Sequence, residues 1–140
     1  VDDETAEAML SLAGGFRLGV GEETGIQLGW DLADVEQLDE ICEAFLRGRP
    51  SADFRHSMIM AMGAYLGEVI VRHSGGRWWY DARERAASFE TPDGLQGRPH
   101  DKVAKKLEDC AAHNLLAYYT YAVRREVLPG TLVKEHPATQ

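Results

Sequence analysis

Cysteine is scarce, basic charge is in deficit, and no apolar run is long enough to cross a bilayer; each shortage removes a class of protein. Only two cysteines occur, Cys42 and Cys110, widely separated and both in segments that read as helices, so no disulfide framework is implied. Fifteen lysines and arginines stand against twenty-three aspartates and glutamates, giving a formal net charge of −8. A phosphate backbone would meet net repulsion, and no nucleic-acid partner is expected. The most apolar stretch, Met58 to Val71, carries Glu68 as its only charge. As a helix at ~1.5 Å per residue it would be ~21 Å long, short of the ~30 Å of hydrocarbon in a membrane, so no membrane partner is expected either. The N-terminus shows no basic region followed by an apolar stretch, which points to a cytoplasmic location.

Signatures are missing as well. The chain contains no C-x-x-C pair, no H-E-x-x-H, no phosphate-binding G-x-x-x-x-G-K-S/T, no G-x-G-x-x-G and no G-x-S-x-G. Cys110 and His113 have the i, i+3 spacing of two ligands on a helix, but two more would have to come from His56, His73 or His100, far along the chain. No metal and no cofactor is expected.

What is present suits one folded domain: 140 residues, 44% of them hydrophobic and 27% charged. The reading is a single globular domain over 1–130 with a loosely held tail over 131–140. Ala6, Met9, Leu10 and Ala13 suggest a first helix ended by Gly14 and Gly15. The alternations Phe16-Leu18-Val20 and Ile26-Leu28-Trp30 then suggest a β-hairpin turning at Gly21 to Thr24. Asp31 is a suitable N-cap for a second helix ending at Gly48, and Ser51 caps a central helix from Ala52 to His73 stopped by Gly75 and Gly76. On that helix Phe54, Met58, Ala61, Met62, Tyr65 and Val69 share a face.

Arg77–Asp81 and Ala86–Thr91 read as strands, with Trp78 and Tyr80 on one face and Trp79 on the other. Pro99 opens a helix to about Cys110 striped by Val103, Ala104 and Leu107. A last helix starts near His113 or Asn114, presents Leu116, Tyr119, Thr120, Val123 and Val127, and stops at Pro129. Lys102, Lys105 and Lys106, and Arg124 with Arg125, alternate with acids and read as solvated faces. The helices and strands do not alternate strictly, so the expected fold class is α+β: a small antiparallel sheet of hairpins packed against a central buried helix, with further helices around it.

Glu68 is the chemically odd residue, because a carboxylate withdrawn from water either neutralises or recruits a cation. Arg72, one turn on, and Arg77, at the head of the next strand, are candidates for an internal pair; the alternative is a general acid or base. Gly63 and Gly67 stack on one helix face, where another backbone can come close. Trp78 and Trp79 face opposite ways, so one of them can serve an interface.

The order G-A-Y-L-G-E-V (Gly63 to Val69), G-G-R-W (Gly75 to Trp78) and K-V-A-K-K-L-E (Lys102 to Glu108) resembles uncharacterised bacterial domains of unknown function, with the upstream L-D-E-I-C helix (Leu38 to Cys42) in keeping. The resemblance implies that Tyr65, Gly67, Glu68 and Trp78 form one structural unit, and it brings no activity with it. The functional expectation is a non-catalytic bacterial protein-interaction or accessory module, of which an immunity-type inhibitor of a basic toxin is a narrower form. The partner is then another protein, and a homodimer is compatible with the glycine pair. The alternative is a small ligand-binding domain or enzyme using Glu68 as acid or base in a pocket beside Tyr65, Arg77 and Trp78. The candidate binding residues are Tyr65, Glu68, Arg72, Arg77, Trp78 and Trp79.

Overall fold

The fold is built around α3 (Ala52–Ser74), as its composition demands. Ser51 accepts the Phe54 N–H through its hydroxyl (3.1 Å), and Gly75 ends the helix in the left-handed region at φ 75°. Residues 62–70 are all buried, Glu68 included. The coordinates, a computed structural model, describe residues 2–128. The expected stop at Pro129 and tail over 131–140 therefore lie outside the described residues.

Helix α1 (Asp2–Thr24) corrects the first expectation. It runs uninterrupted through Gly14, Gly15, Gly19 and Gly21, and the segment read as a first strand and its turn is helical. Met9, Ala13, Phe16 and Val20 are the buried residues, spaced 4-3-4, and α1 lays this stripe on α3. Burial of that stripe overrides four poor helix formers. The other half of the expected hairpin, Ile26 to Trp30, is an irregular segment.

Helix α2 (Leu32–Arg47) begins where expected, the Asp31 N–H donating to Asp34 Oδ2 at 2.9 Å. β1 (Arg77–Asp81) and β2 (Ala86–Glu90) form an antiparallel hairpin pairing Trp78 with Phe89 and Trp79 with Ser88. A third strand not foreseen, β3 (Gln96–Gly97), pairs with β2 and gives the sheet order β1-β2-β3. The fold is thus α+β, with five α-helices and one small antiparallel sheet among the described residues. Trp78 and Phe89 enter the core. Tyr80, on the same face, emerges beyond its rim. The free edge of β1 is closed by α1: Asp2 Oδ1 accepts the Tyr80 N–H at 3.2 Å and Asp2 Oδ2 pairs with Arg77 at 3.2 Å.

Helix α4 (Pro99–Glu108) starts on its proline, and α5 (Leu115–Arg124) on Asn114, whose Oδ1 accepts the Ala117 N–H at 2.9 Å. Lys102 and Lys106, expected in solvent, are each only 3% exposed. Lys106 Nζ lies 3.3 Å from Asp39 Oδ1 and 3.6 Å from Glu43 Oε1, and donates to the carbonyls of Cys110 (3.3 Å) and His113 (3.0 Å); Lys102 Nζ lies 3.1 Å from His113 Nδ1. These acceptors come from α2 and from the bend after α4, so the long lysine stems cross apolar ground to reach them. Asp39 also accepts the N–H groups of Leu115 (2.8 Å) and Leu116 (3.0 Å), tying α2, α4 and the start of α5 together.

Two further expectations change. Helix α5 stops at Arg124 rather than continuing to Val127, because Arg125 takes a left-handed conformation, donates to the Tyr121 and Ala122 carbonyls and pairs with Asp93. Its buried set is consequently centred on Leu115, Tyr118, Tyr119 and Ala122, with Leu116 and Val123 half-buried. Phe54 is 56% exposed, since the first turns of α3 extend past its neighbours, and its ring rests edge-on against Phe45.

Candidate functional site

Four of the six candidate residues come together as a structural node, in which Tyr65, Glu68 and Trp78 are buried and Arg72 is exposed. Arg72 Nε lies 3.7 Å from Glu68 Oε1, and the Trp78 indole N–H faces Glu68 Oε2 at 3.4 Å. Tyr65 donates its hydroxyl to the Gly29 carbonyl at 2.7 Å and stacks on Trp30 at 5.5 Å, while burial, with Asp34 assisting, pushes its phenol above the ordinary value. The guanidinium of Arg72 lies over the Trp30 ring at 3.9 Å and that of Arg17 at 4.6 Å. The node pins the irregular segment before α2 to α3. Arg77 is directed elsewhere, to Glu90 (2.7 Å) and Asp2. Trp79 lies on the opposite sheet face, where its indole nitrogen and the hydroxyl of Ser88 across from it are buried with no hydrogen-bond partner among the described residues.

The glycine pair supplies the next layer. A Cβ on Gly67 would run into the Trp78 indole and the Pro99 ring, and a Cβ on Gly63 into the His100 ring and its Cα. The neighbour for which the two glycines make room is therefore the N-terminus of α4 together with Trp78. Seated there, His100 Nε2 lies 3.1 Å from the Met60 carbonyl; a carbonyl can only accept, so that nitrogen carries the proton. Burial holds the His100 imidazole below its ordinary pKa, with the Met60 bond and Asp101 opposing, so the ring is neutral near pH 7.

His100 forms one wall of a half-open groove of about 710 Å³. The first turns of α1, the first half of α3, the β1–β2 hairpin around its turn and the start of α4 enclose it. Its floor is apolar, with Met9, Ile59, Met60, Ala87 and Ala104, and Tyr80 stands at its side. Around the rim are the acids Glu4, Glu84 and Asp101, with Arg85 and His56 as counterweights. Arg98 approaches Glu84 and Asp101 at 3.7 Å each, exposed pairings of little strength.

None of the six candidate residues lines this groove, which contains neither serine nor cysteine. Glu68 is engaged by Arg72 and Trp78 and offers the groove no acid or base. Cys42 is no nucleophile: burial, reinforced by Asp39, pushes its thiol up to about 12. Among the described residues no group of three or more His, Cys, Asp or Glu side chains is placed to hold a metal ion, and no helix is long and apolar enough to cross a membrane. The groove residues escaped the sequence reading because four separate elements contribute them. The one local sign was the Gly63/Gly67 notch, which announced a close neighbour without naming Pro99 and His100.

No protein-family model, no curated protein and no solved structure matches the chain.

Proposed function

We propose that the protein is a non-catalytic protein-binding module whose groove receives an apolar segment with basic flanks from a partner protein. The observation that carries this reading is the half-open groove, apolar in its floor and predominantly acidic at its rim. Its size is in the range of ~300–1,000 Å³ in which binding clefts operate, and its openness suits side chains carried on another backbone. Lysine or arginine beside such a segment would meet Glu4, Glu84 and Asp101, and the net charge of −8 would draw a basic partner in from a distance. An inhibitor that covers a basic effector, as an immunity protein does, is a narrower form of the same reading.

A cationic amphipathic peptide of lysine and leucine serves as the probe in calorimetric titrations. It is expected to bind the wild-type chain and to be weakened by Ala8→Trp on exposed α1 and by Ala104→Trp in the floor, while Glu68→Gln leaves binding unchanged. Equal binding to wild type and both groove variants, or none to wild type, would overturn the proposal. Dependence on Glu68 would turn attention back to the alternative of an acid–base site.

A further inference from the structure

The turn between α2 and α3 runs against the charge of the rest of the chain. From Ala44 to Ser57 there are three arginines, Arg47, Arg49 and Arg55, and a single acid, Asp53. None of the three guanidinium groups has an ion pair or hydrogen bond among the described residues, a state they share with Arg83, Arg85 and Arg124, whereas Arg72, Arg77, Arg98 and Arg125 meet carboxylates. What sets the turn apart is that three such arginines fall within nine residues beside an exposed ring. Beside them sits Phe54, the most exposed aromatic ring described, propped at 5.4 Å on Phe45. Arginine and exposed aromatic side chains together are the composition of binding hot spots.

The backbone adds an independent observation. Arg49 occupies the left-handed region at φ 50°, although the glycine next to it, Gly48, lies in the right-handed region at φ −76°. A residue with a Cβ is strained there, and glycine would relieve it. Pro50 follows directly and restricts the backbone on that side, so the turn keeps an arginine at this position at a cost in stability.

We infer that this turn is a second binding surface, separate from the groove, and that it takes an acidic segment of a partner protein: carboxylates against Arg47, Arg49 and Arg55, and an apolar side chain against Phe54. Guanidinium forks pair with carboxylates through two parallel hydrogen bonds, which favours such an occupant. An extended polyanion, whether a bilayer or a nucleic acid, would instead face the whole molecule and its charge of −8. A short acidic segment touches only the basic turn.

The test is fluorescence anisotropy with a labelled peptide alternating glutamate and leucine, alongside its lysine counterpart, phosphatidylserine vesicles and an oligothymidylate. The acidic peptide is expected to bind, to weaken as salt rises, and to lose about tenfold or more in affinity in Arg47→Glu/Arg55→Glu and in Phe54→Ala. Arg83→Glu, in the hairpin turn, is expected to leave it unchanged. Arg49→Gly is expected to raise the unfolding midpoint while lowering affinity, a combination that a residue kept only for folding would not give. No binding of the acidic peptide, equal loss in Arg83→Glu, or binding of vesicles or oligonucleotide in its place would overturn the assignment.

Discussion

The same substitution, glycine to alanine, should act with opposite sign on the two long helices. In α1 a Cβ added at Gly15 meets nothing within 4 Å, and the backbone is not in the left-handed region, so the only change is the relief of helical glycine, about 1 kcal/mol. For 140 residues at ~2.1 cal/mol/K each, the unfolding entropy is ~0.3 kcal/mol/K, so Gly15→Ala should raise the melting temperature by about 3 °C. Gly14 and Gly19 are equally open, and the triple alanine variant should approach three times that gain. At Gly63 the same ~1 kcal/mol of propensity is available, but the new methyl overlaps the His100 ring and, decisively, its Cα, which moves only if α4 moves. Overpacking costs ~1–3 kcal/mol, and a methyl that meets both the ring and the Cα of His100 belongs at the upper end, so Gly63→Ala should come out destabilised by up to about 2 kcal/mol, with the His100 wall of the groove displaced. Thermal melting and urea denaturation, each followed by far-ultraviolet circular dichroism, measure the two effects. A Gly15→Ala variant with an unchanged or lower midpoint, or a Gly63→Ala variant with a higher one, would refute the reasoning.

Two further outcomes are expected. Because burial lowers the His100 pKa in the folded chain, the unfolded chain binds more protons as pH falls below the ordinary histidine value of ~6.5; stability should drop there and be unaffected by this group above it. His100→Gln should flatten that acid limb in urea midpoints measured against pH, and an unchanged slope would count against it. Burial disfavours the Lys106 charge, but Asp39 and Glu43 outweigh it and hold its pKa above the ordinary lysine value. Asp39→Ala would strand that charge and uncap the Leu115 and Leu116 N–H groups, a loss of about 3–5 kcal/mol. Adding Lys106→Met should restore part of it in the same assay; a second full loss would argue that the cluster is not a charge pair.

The elements with chemical punctuation were readable from the chain: Asp31, Ser51, Gly75 and Pro99 each fix a helix end through their own backbone or side chain, and the aromatic run at Trp78 marks its strand. Helix α1 was not, because its glycines and the Phe16-Leu18-Val20 alternation point locally to a hairpin. Only the 9-13-16-20 spacing, completed by α3, makes it a helix. The buried lysines were misread for the same reason. At positions 102 and 106 they share a face with Val103 and Leu107, a stripe that includes the charges only once Asp39, Glu43 and His113 are near. The pairing of Glu68 with Arg72 was local, one helical turn, and could be seen. The groove was not, since its walls, around Glu4 to Met9, His56 to Met60, Tyr80 to Ala87 and His100 to Ala104, are separated by long stretches that contribute nothing to it.

The contact of Asp2 with β1 imposes an order on assembly. Asp2 completes a strand that lies 78 positions later in the chain, and the glycine-rich rod that carries it has little tendency to coil by itself. The clasp can shut only once the hairpin and α3 have offered it a seat. Until then the outer hydrogen-bonding groups of β1 stand open to a strand from any neighbouring molecule. The acidic side chains crowding the first turn, Asp2, Asp3 and Glu4, keep such newborn chains apart by repulsion during that interval.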